Sequence, residues 1–202
     1  MIAIVDYDAG NMKSVEKALE YLGETPVVTR DAETILGADK VILPGVGSFK
    51  EAMDRLHQYG LVEPLRRVAS SGKPFLGICL GLQLMFESSE ESPGVEGLSI
   101  LKGKIVRFPD KEGFKIPHMG LNSLKIKEGS RLFANLPANP YVYFVHSYYL
   151  QAEDENDVAA TTEYMVKVDA ACEAGNIFAC QFHPEKSGTE VGLQILKNFI
   201  NL

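Results

Sequence analysis

Two short runs in the first half of the chain, Ile2–Val5 and Lys40–Leu43, and a third at residues 73–78 are apolar almost without interruption. A strand with one face in water alternates apolar and polar residues, so a run without alternation is covered on both faces. Amphipathic stretches lie between these runs. Met12, Val15, Ala18, Leu19 and Leu22 recur at helical spacing behind Asn11, a good capping residue, and stop at Gly23. Ser48 and Glu51 form half of a capping box. Further helices are predicted at residues 61–70, ending by Gly72, and from Leu80 to about Glu87, with a strand at 25–29. Buried strands joined by helices predict an α/β fold, a doubly wound, mostly parallel sheet flanked by helices.

After residue 98 the pattern changes. Residues 100–108, 122–127, 141–150, 158–163, 167–172 and 176–182 all read as strands with few helices between them, which predicts an antiparallel extension of the sheet. A final helix is predicted over 187–202, with Ser187 and Glu190 as a second capping box and Val191, Ile195, Phe199 and Leu202 on its apolar face. No repeat, low-complexity stretch or linker divides the sequence, so residues 1–202 are expected to form one domain.

The charge balance excludes one class of partner. With 20 basic and 27 acidic side chains the net charge is −7, and no basic face is present for nucleic acid. The apolar run from Phe75 to Phe86 is too short to cross a bilayer, and the opening residues meet Asp6 without a basic leader. Three cysteines, an odd number outside any paired framework, fit a reduced, cytoplasmic protein.

The sharpest local feature is Gly77-Ile78-Cys79-Leu80-Gly81, where a buried strand meets a helix. A nucleophile centred between two glycines at such a junction is the pattern of the nucleophile elbow. The glycines permit close backbone approach, the helix N-terminus favours an anionic sulfur, and the Leu80 N–H is expected to be left for an oxyanion. A cysteine nucleophile needs a base and a group that orients the base. Phe182-His183-Pro184-Glu185 offers both: Pro184 favours an extended His183, which would set Glu185 on the same side as the imidazole. Cys172 and Cys180 fall within strand patterns and read as core. A zinc site from Cys172, Cys180 and His183 lacks paired spacing and a fourth ligand, so no metal is expected. Pro44-Gly45-Val46-Gly47 follows a buried strand and leads into a helix, on the same sheet edge as the elbow, where its backbone can present an N–H to a reacting carbonyl. No Gly-Lys-Ser/Thr follows it, which argues against a phosphate loop.

The Pro44-Gly45-Val46-Gly47 loop, the Gly77–Gly81 elbow and the His183–Glu185 pair, in this order, resemble the class I glutamine amidotransferases. The resemblance implies a glutaminase with Cys79, His183 and Glu185 as catalytic triad and no cofactor. It places Val46, Gly47 and Leu80 at the oxyanion, Gln83 near the substrate's amino-acid end or the thioester, and His146, Ser147 and Tyr148 around the glutamine α-groups; His146 also reads as a strand-end histidine bound to backbone. Asp8-Ala9-Gly10-Asn11, Pro117-His118-Met119-Gly120-Leu121-Asn122 and His183-Pro184-Glu185-Lys186-Ser187 resemble the members that serve a separate (β/α)8-barrel cyclase subunit in a heterodimer. Asn11, Met119, Asn122 and Lys186 are therefore the interface candidates, with His118 read as an interface residue rather than a base. Leu121 departs from the family, which usually has tryptophan there.

Overall fold

The computed structural model describes residues 1–186 and 190–202. Its first half is β1 (Ile2–Val5), α1 (Met12–Tyr21), β2 (Val27–Thr29), α2 (Ala32–Gly37), β3 (Lys40–Leu43), α3 (Phe49–Gln58), α4 (Val62–Ser70), β4 (Phe75–Ile78), α5 (Leu80–Leu84) and β5 (Ser88–Ser89). The second half is β6 (Gly103–Arg107), β7 (His118–Ser123), β8 (Lys125–Ile126), β9 (Tyr141–His146), β10 (Tyr148–Ala152), β11 (Val158–Tyr164), β12 (Val166–Ala174), β13 (Ile177–Cys180) and α6 (Glu190–Ile200). Among the described residues the main sheet runs β2-β1-β3-β4-β13-β12-β10-β6-β5, with β11 and β8 branching from β12. The first five of these strands are parallel; β12, β10 and β6 continue the sheet in antiparallel fashion.

The uninterrupted apolar runs have the expected cause. Ala3, Val5, Val41, Leu43 and Phe75 face one side of the sheet and pack with Ile35, Leu56 and Leu65 from α2, α3 and α4. Ile2, Ile4, Ile42, Leu76 and Ile78 face the other, against Val15 and Leu19 of α1 and Ile195 and Phe199 of α6. Each strand is thus sealed on both faces, and burying a Leu, Ile or Phe side chain in this way contributes about 1.5–3 kcal/mol.

Three expectations change in detail, and a fourth is not reached. The helix α2 lies in a stretch that carried no predicted element; Asp31 caps it, its side chain accepting the Thr34 N–H at 2.8 Å. The predicted strand 141–150 is two strands in two sheets. β9 pairs with β7 and β10 with β6, because the chain turns at Ser147, whose carbonyl accepts the Phe108 N–H. Asn11 stands at the N-cap of α1 in a left-handed conformation (φ 80°) and makes no side-chain cap. The proposed Ser187 cap lies outside the described residues, and α6 is described from Glu190.

The loops after β1, β3, β4 and β13 all leave the carboxyl edge of the parallel strands, where open α/β sheets bind ligands. These loops carry Asp8–Asn11, Pro44–Gly47, Cys79 and His183–Glu185.

Candidate active site

Cys79 sits at φ 55° and ψ −109°, a strained conformation for a residue with a Cβ, held by its N–H to the Cys180 carbonyl at 2.8 Å. The flanking glycines are required by space. A Cβ on Gly81 would lie 1.8 Å from the Leu43 carbonyl oxygen, and one on Gly77 would lie 2.7 Å from the Gly81 oxygen. The elbow therefore locks β3, β4 and α5 together and leaves the sulfur at the cleft.

His183 and Glu185 are almost wholly buried, with Nδ1 2.8 Å from Glu185 Oε1. Residues Pro184–Lys186 form a 3-10 turn rather than the expected extended segment, closed by the Lys186 N–H donating to the His183 carbonyl, and this turn brings Glu185 back to the ring. Asn11 completes the arrangement: its side-chain amide donates to Glu185 Oε1 at 2.5 Å. Burial, the largest influence on His183, pulls its pKa down, but neighbouring Cys79 and Glu185 outweigh it and raise the imidazole to about 9. At neutral pH His183 is an imidazolium, fit to act as an acid first. Burial pushes the Cys172 and Cys180 thiols up, so neither competes as a nucleophile.

A cleft of about 430 Å³ opens in front of this group. Its walls include Cys79 and His183 of the expected triad, and Val46, Gly47, Leu80, Gln83, His146, Ser147 and Tyr148, every residue expected at the oxyanion and the substrate; the third triad member, Glu185, lies buried behind His183. Glu91 also lines it, a carboxylate that the sequence did not single out; its Oε2 accepts the Phe49 N–H at the start of α3, which fixes it in place. One expectation about donors is corrected. The Leu80 N–H is not left over but donates to the Gly45 carbonyl at 3.3 Å, so the chain's own carbonyl fills the place of an oxyanion. Gln83 reaches the cleft, yet its amide nitrogen donates to the Tyr148 carbonyl at 3.3 Å and to Gln181 Oε1 at 3.0 Å.

The loop after β1 supports the site from behind. Tyr7, fully buried, donates to the Pro44 carbonyl at 2.6 Å. Asp8, also in the left-handed region (φ 61°), accepts from Tyr59, Arg30 and Arg55, and the first two of these hold its carboxyl below the usual range.

His118 is buried rather than on the surface where an interface residue was expected. It stacks on Phe144 and Tyr164 and lies 2.9 Å from His146. The bonds assign every proton. His146 Nδ1–H donates to the Tyr148 carbonyl at 2.8 Å, so its Nε2 accepts from His118 Nδ1–H, and His118 Nε2 accepts from Asn122. His146 thus takes the backbone-bound role. Asn122 is further tied to the Glu163 carbonyl, whereas Met119 and Leu121 expose 63% and 56% of their surface on the outer face of β7. Lys186 is exposed.

Burial lowers His118 to about 4 and His146 to about 3. Their contribution to stability is fully present above the unfolded value near 6.5 and is lost as pH falls toward these values. By pH 5 each neutral imidazole costs about 2 kcal/mol; His183, with its pKa raised, acts in the opposite sense, its contribution being fully present below about 6.5 and lost as pH rises toward 9, so from pH 7 to pH 5 it offsets only a minor part of that loss. The urea midpoint is expected to fall clearly between pH 7 and pH 5. Equal midpoints would show that the pair is not held neutral.

Among the described residues no group of three or more His, Cys, Asp and Glu side chains is placed to hold a metal, and no helix is long and apolar enough to cross a membrane.

Residues 3–202 match the family described as Glutamine amidotransferase class-I. The chain is 52% identical over 204 residues to imidazole glycerol phosphate synthase subunit HisH of Thermosynechococcus vestitus, covering 100% of this chain and 96% of that one. It is 49% identical over 199 residues to the protein of the same name from Caldanaerobacter subterraneus, with 98% and 97% covered. Solved structures of the same fold include a glutamine amidotransferase, at TM-score 0.78 and 19% identity over 100% and 98% of the two chains. A chain of PurLQS from Thermotoga maritima matches at TM-score 0.76 and 21% identity over 99% and 97%.

Proposed function

The chain belongs to the class I glutamine amidotransferases, and from that premise we propose that it is the glutaminase subunit of an imidazole glycerol phosphate synthase, working as one domain in the cytoplasm. The observation that carries the reading is the strained Cys79 beside the buried His183–Glu185 pair at the mouth of one amino-acid-sized cleft.

The Cys79 thiolate attacks the side-chain amide carbon of glutamine, and the carbonyl oxygen takes the negative charge. The His183 imidazolium protonates the amide nitrogen, the C–N bond breaks and ammonia leaves, with the γ-glutamyl group on sulfur as a thioester. Neutral His183 then takes a proton from water, the hydroxide attacks the thioester, and glutamate departs as the thiolate re-forms. Glu185, steadied by Asn11, keeps the imidazole in the tautomer this requires. The Glu91 carboxylate, on the cleft wall, offers a partner for the α-ammonium group, with Ser147 and Tyr148 at the α-carboxylate.

The oxyanion is to be stabilised by Leu80 N–H and an N–H of the Val46–Gly47 segment. With the Gly45 carbonyl on Leu80 N–H that site is closed, and turning the Gly45–Val46 peptide would withdraw the carbonyl and present an amide. Released into water at neutral pH, ammonia is mostly protonated and no longer nucleophilic, so a partner must receive it. The relatives are named as one subunit of imidazole glycerol phosphate synthase, and we infer that the receiving partner is a cyclase subunit of (β/α)8-barrel type, which would make imidazole glycerol phosphate and aminoimidazole carboxamide ribotide in histidine biosynthesis. Met119, Leu121 and Lys186 are the outward-facing residues for docking it. Asn11 and Asn122 would act from behind, through Glu185 and His118.

Glutaminase activity, assayed with and without the cyclase loaded with its nucleotide substrate, tests the reading. Weak activity alone and strong activity in the complex are expected; no glutamate in either arm would refute it. Within the triad, Glu185→Gln is expected to lower turnover less than His183→Ala, because the carboxylate orients the base and the imidazole moves the proton. Equal collapse of both folded variants would assign Glu185 a direct part in proton transfer.

A further inference from the structure

Gln181 is fully buried and has no role in the chemistry above, yet it touches the nucleophile. β13 runs parallel to β4 with Cys180 level with Ile78, so the next residues, Gln181 and Cys79, leave the sheet side by side. The Gln181 backbone N–H donates to the Ala170 carbonyl at 2.9 Å, and its side-chain Nε2 lies 3.7 Å from Cys79 Sγ. The orientation of the amide is fixed by its other end. Gln181 Oε1 accepts from Gln83 Nε2, which is itself anchored on the Tyr148 carbonyl, so the nitrogen is the end that faces the sulfur.

We propose that Gln181 is a further catalytic residue, whose side-chain amide donates to the Cys79 thiolate and holds the sulfur aimed into the cleft, with Gln83 as its positioning residue. The inference rests on the reading of Cys79 as nucleophile. The need for such a donor is local. The helix that follows Cys79 is only five residues long, and its first N–H is taken by Gly45. His183 can also donate toward sulfur, but a proton given by an imidazolium can be transferred and would quench the nucleophile. A carboxamide N–H donates without being transferred. As sulfur bonds to carbon its charge passes to the carbonyl oxygen and the contact weakens. When the thioester is hydrolysed and the thiolate leaves, the contact strengthens again, so the same amide assists the second step.

The test is Gln181→Met, which keeps the volume and removes the donor. Two readouts are needed: the rate at which iodoacetamide alkylates Cys79 in the purified chain at pH 7, and kcat and KM for glutamine in the stimulated complex. Both the alkylation rate and kcat are expected to fall at least about 10-fold, the scale of one hydrogen bond to a charged group, with KM within about twofold. Unchanged alkylation, whether or not kcat falls, overturns the proposal, since a packing role alone would not touch thiolate reactivity. If Gln181→Met does not fold, Gln181→Asn serves instead: it keeps an amide for Gln83 but withdraws it from sulfur, and the same losses are expected. Cys79→Ala separates the two readings, because a Cys79→Ala protein that still hydrolyses glutamine removes the nucleophile itself, whereas an inactive one beside a normal Gln181→Met removes only the role of Gln181.

Discussion

Cys79→Ala is expected to lower glutamine hydrolysis by at least about 10⁴-fold, the scale on which removing a covalent nucleophile acts. The fold should survive. Cys79 is small and lies at the edge of the core, and alanine at φ 55° is no more strained than cysteine. The complex with the cyclase should also form, and cyclisation fed by external ammonium salts should continue at its normal rate, because free ammonia bypasses the glutaminase. Loss of both the glutamine-dependent and the ammonia-dependent reactions would indicate a damaged complex rather than a missing nucleophile.

Val46→Pro is expected to lower partner-stimulated turnover by about 10²–10³-fold, which corresponds to about 2.7–4 kcal/mol for one lost oxyanion donor. Proline has no N–H to present and fixes its φ, so the Gly45–Val46 peptide could neither turn nor donate. The Val46 side chain lies between the cleft and the hollow beneath the loop after β1, where Gly10 packs against it. Movement of that loop is thus a direct way for a docked partner to favour one peptide orientation, provided its contacts differ between the two states. Titration of labelled cyclase should give an affinity close to that of the unsubstituted chain. Full stimulation in the variant would show that the oxyanion is stabilised by other groups.

Much of this was readable in the chain because local patterns reported it. Ile2–Val5 and Lys40–Leu43 had no polar face and therefore had to be central strands, which placed Cys79 and the 44–47 loop on one edge. The hidden features share a physical cause: their partners are remote in sequence. Gln181 meets Cys79 and Gln83, and Glu91 caps α3 from another loop, so neither side chain carries a signal within its own stretch. The turn at Ser147 was masked by continuous strand-forming residues on both sides of it. The helix α2 was missed because it is short and buries only Ile35, although Asp31 with Thr34 was a usable cap signal. For Asn11 the capping preference was overridden by tertiary structure, since its amide finds the Glu185 carboxylate across the sheet edge.

The most direct measurement of the central claim is covalent trapping of the nucleophile. An electrophilic glutamine analogue, incubated with the cyclase-bound chain and followed by peptide mass spectrometry, should label Cys79 alone, with loss of glutaminase activity in proportion to labelling and protection by glutamine. Labelling of Cys172 or Cys180 instead, or complete inactivation with Cys79 unmodified, would contradict the assignment of Cys79 as the residue that carries the thioester.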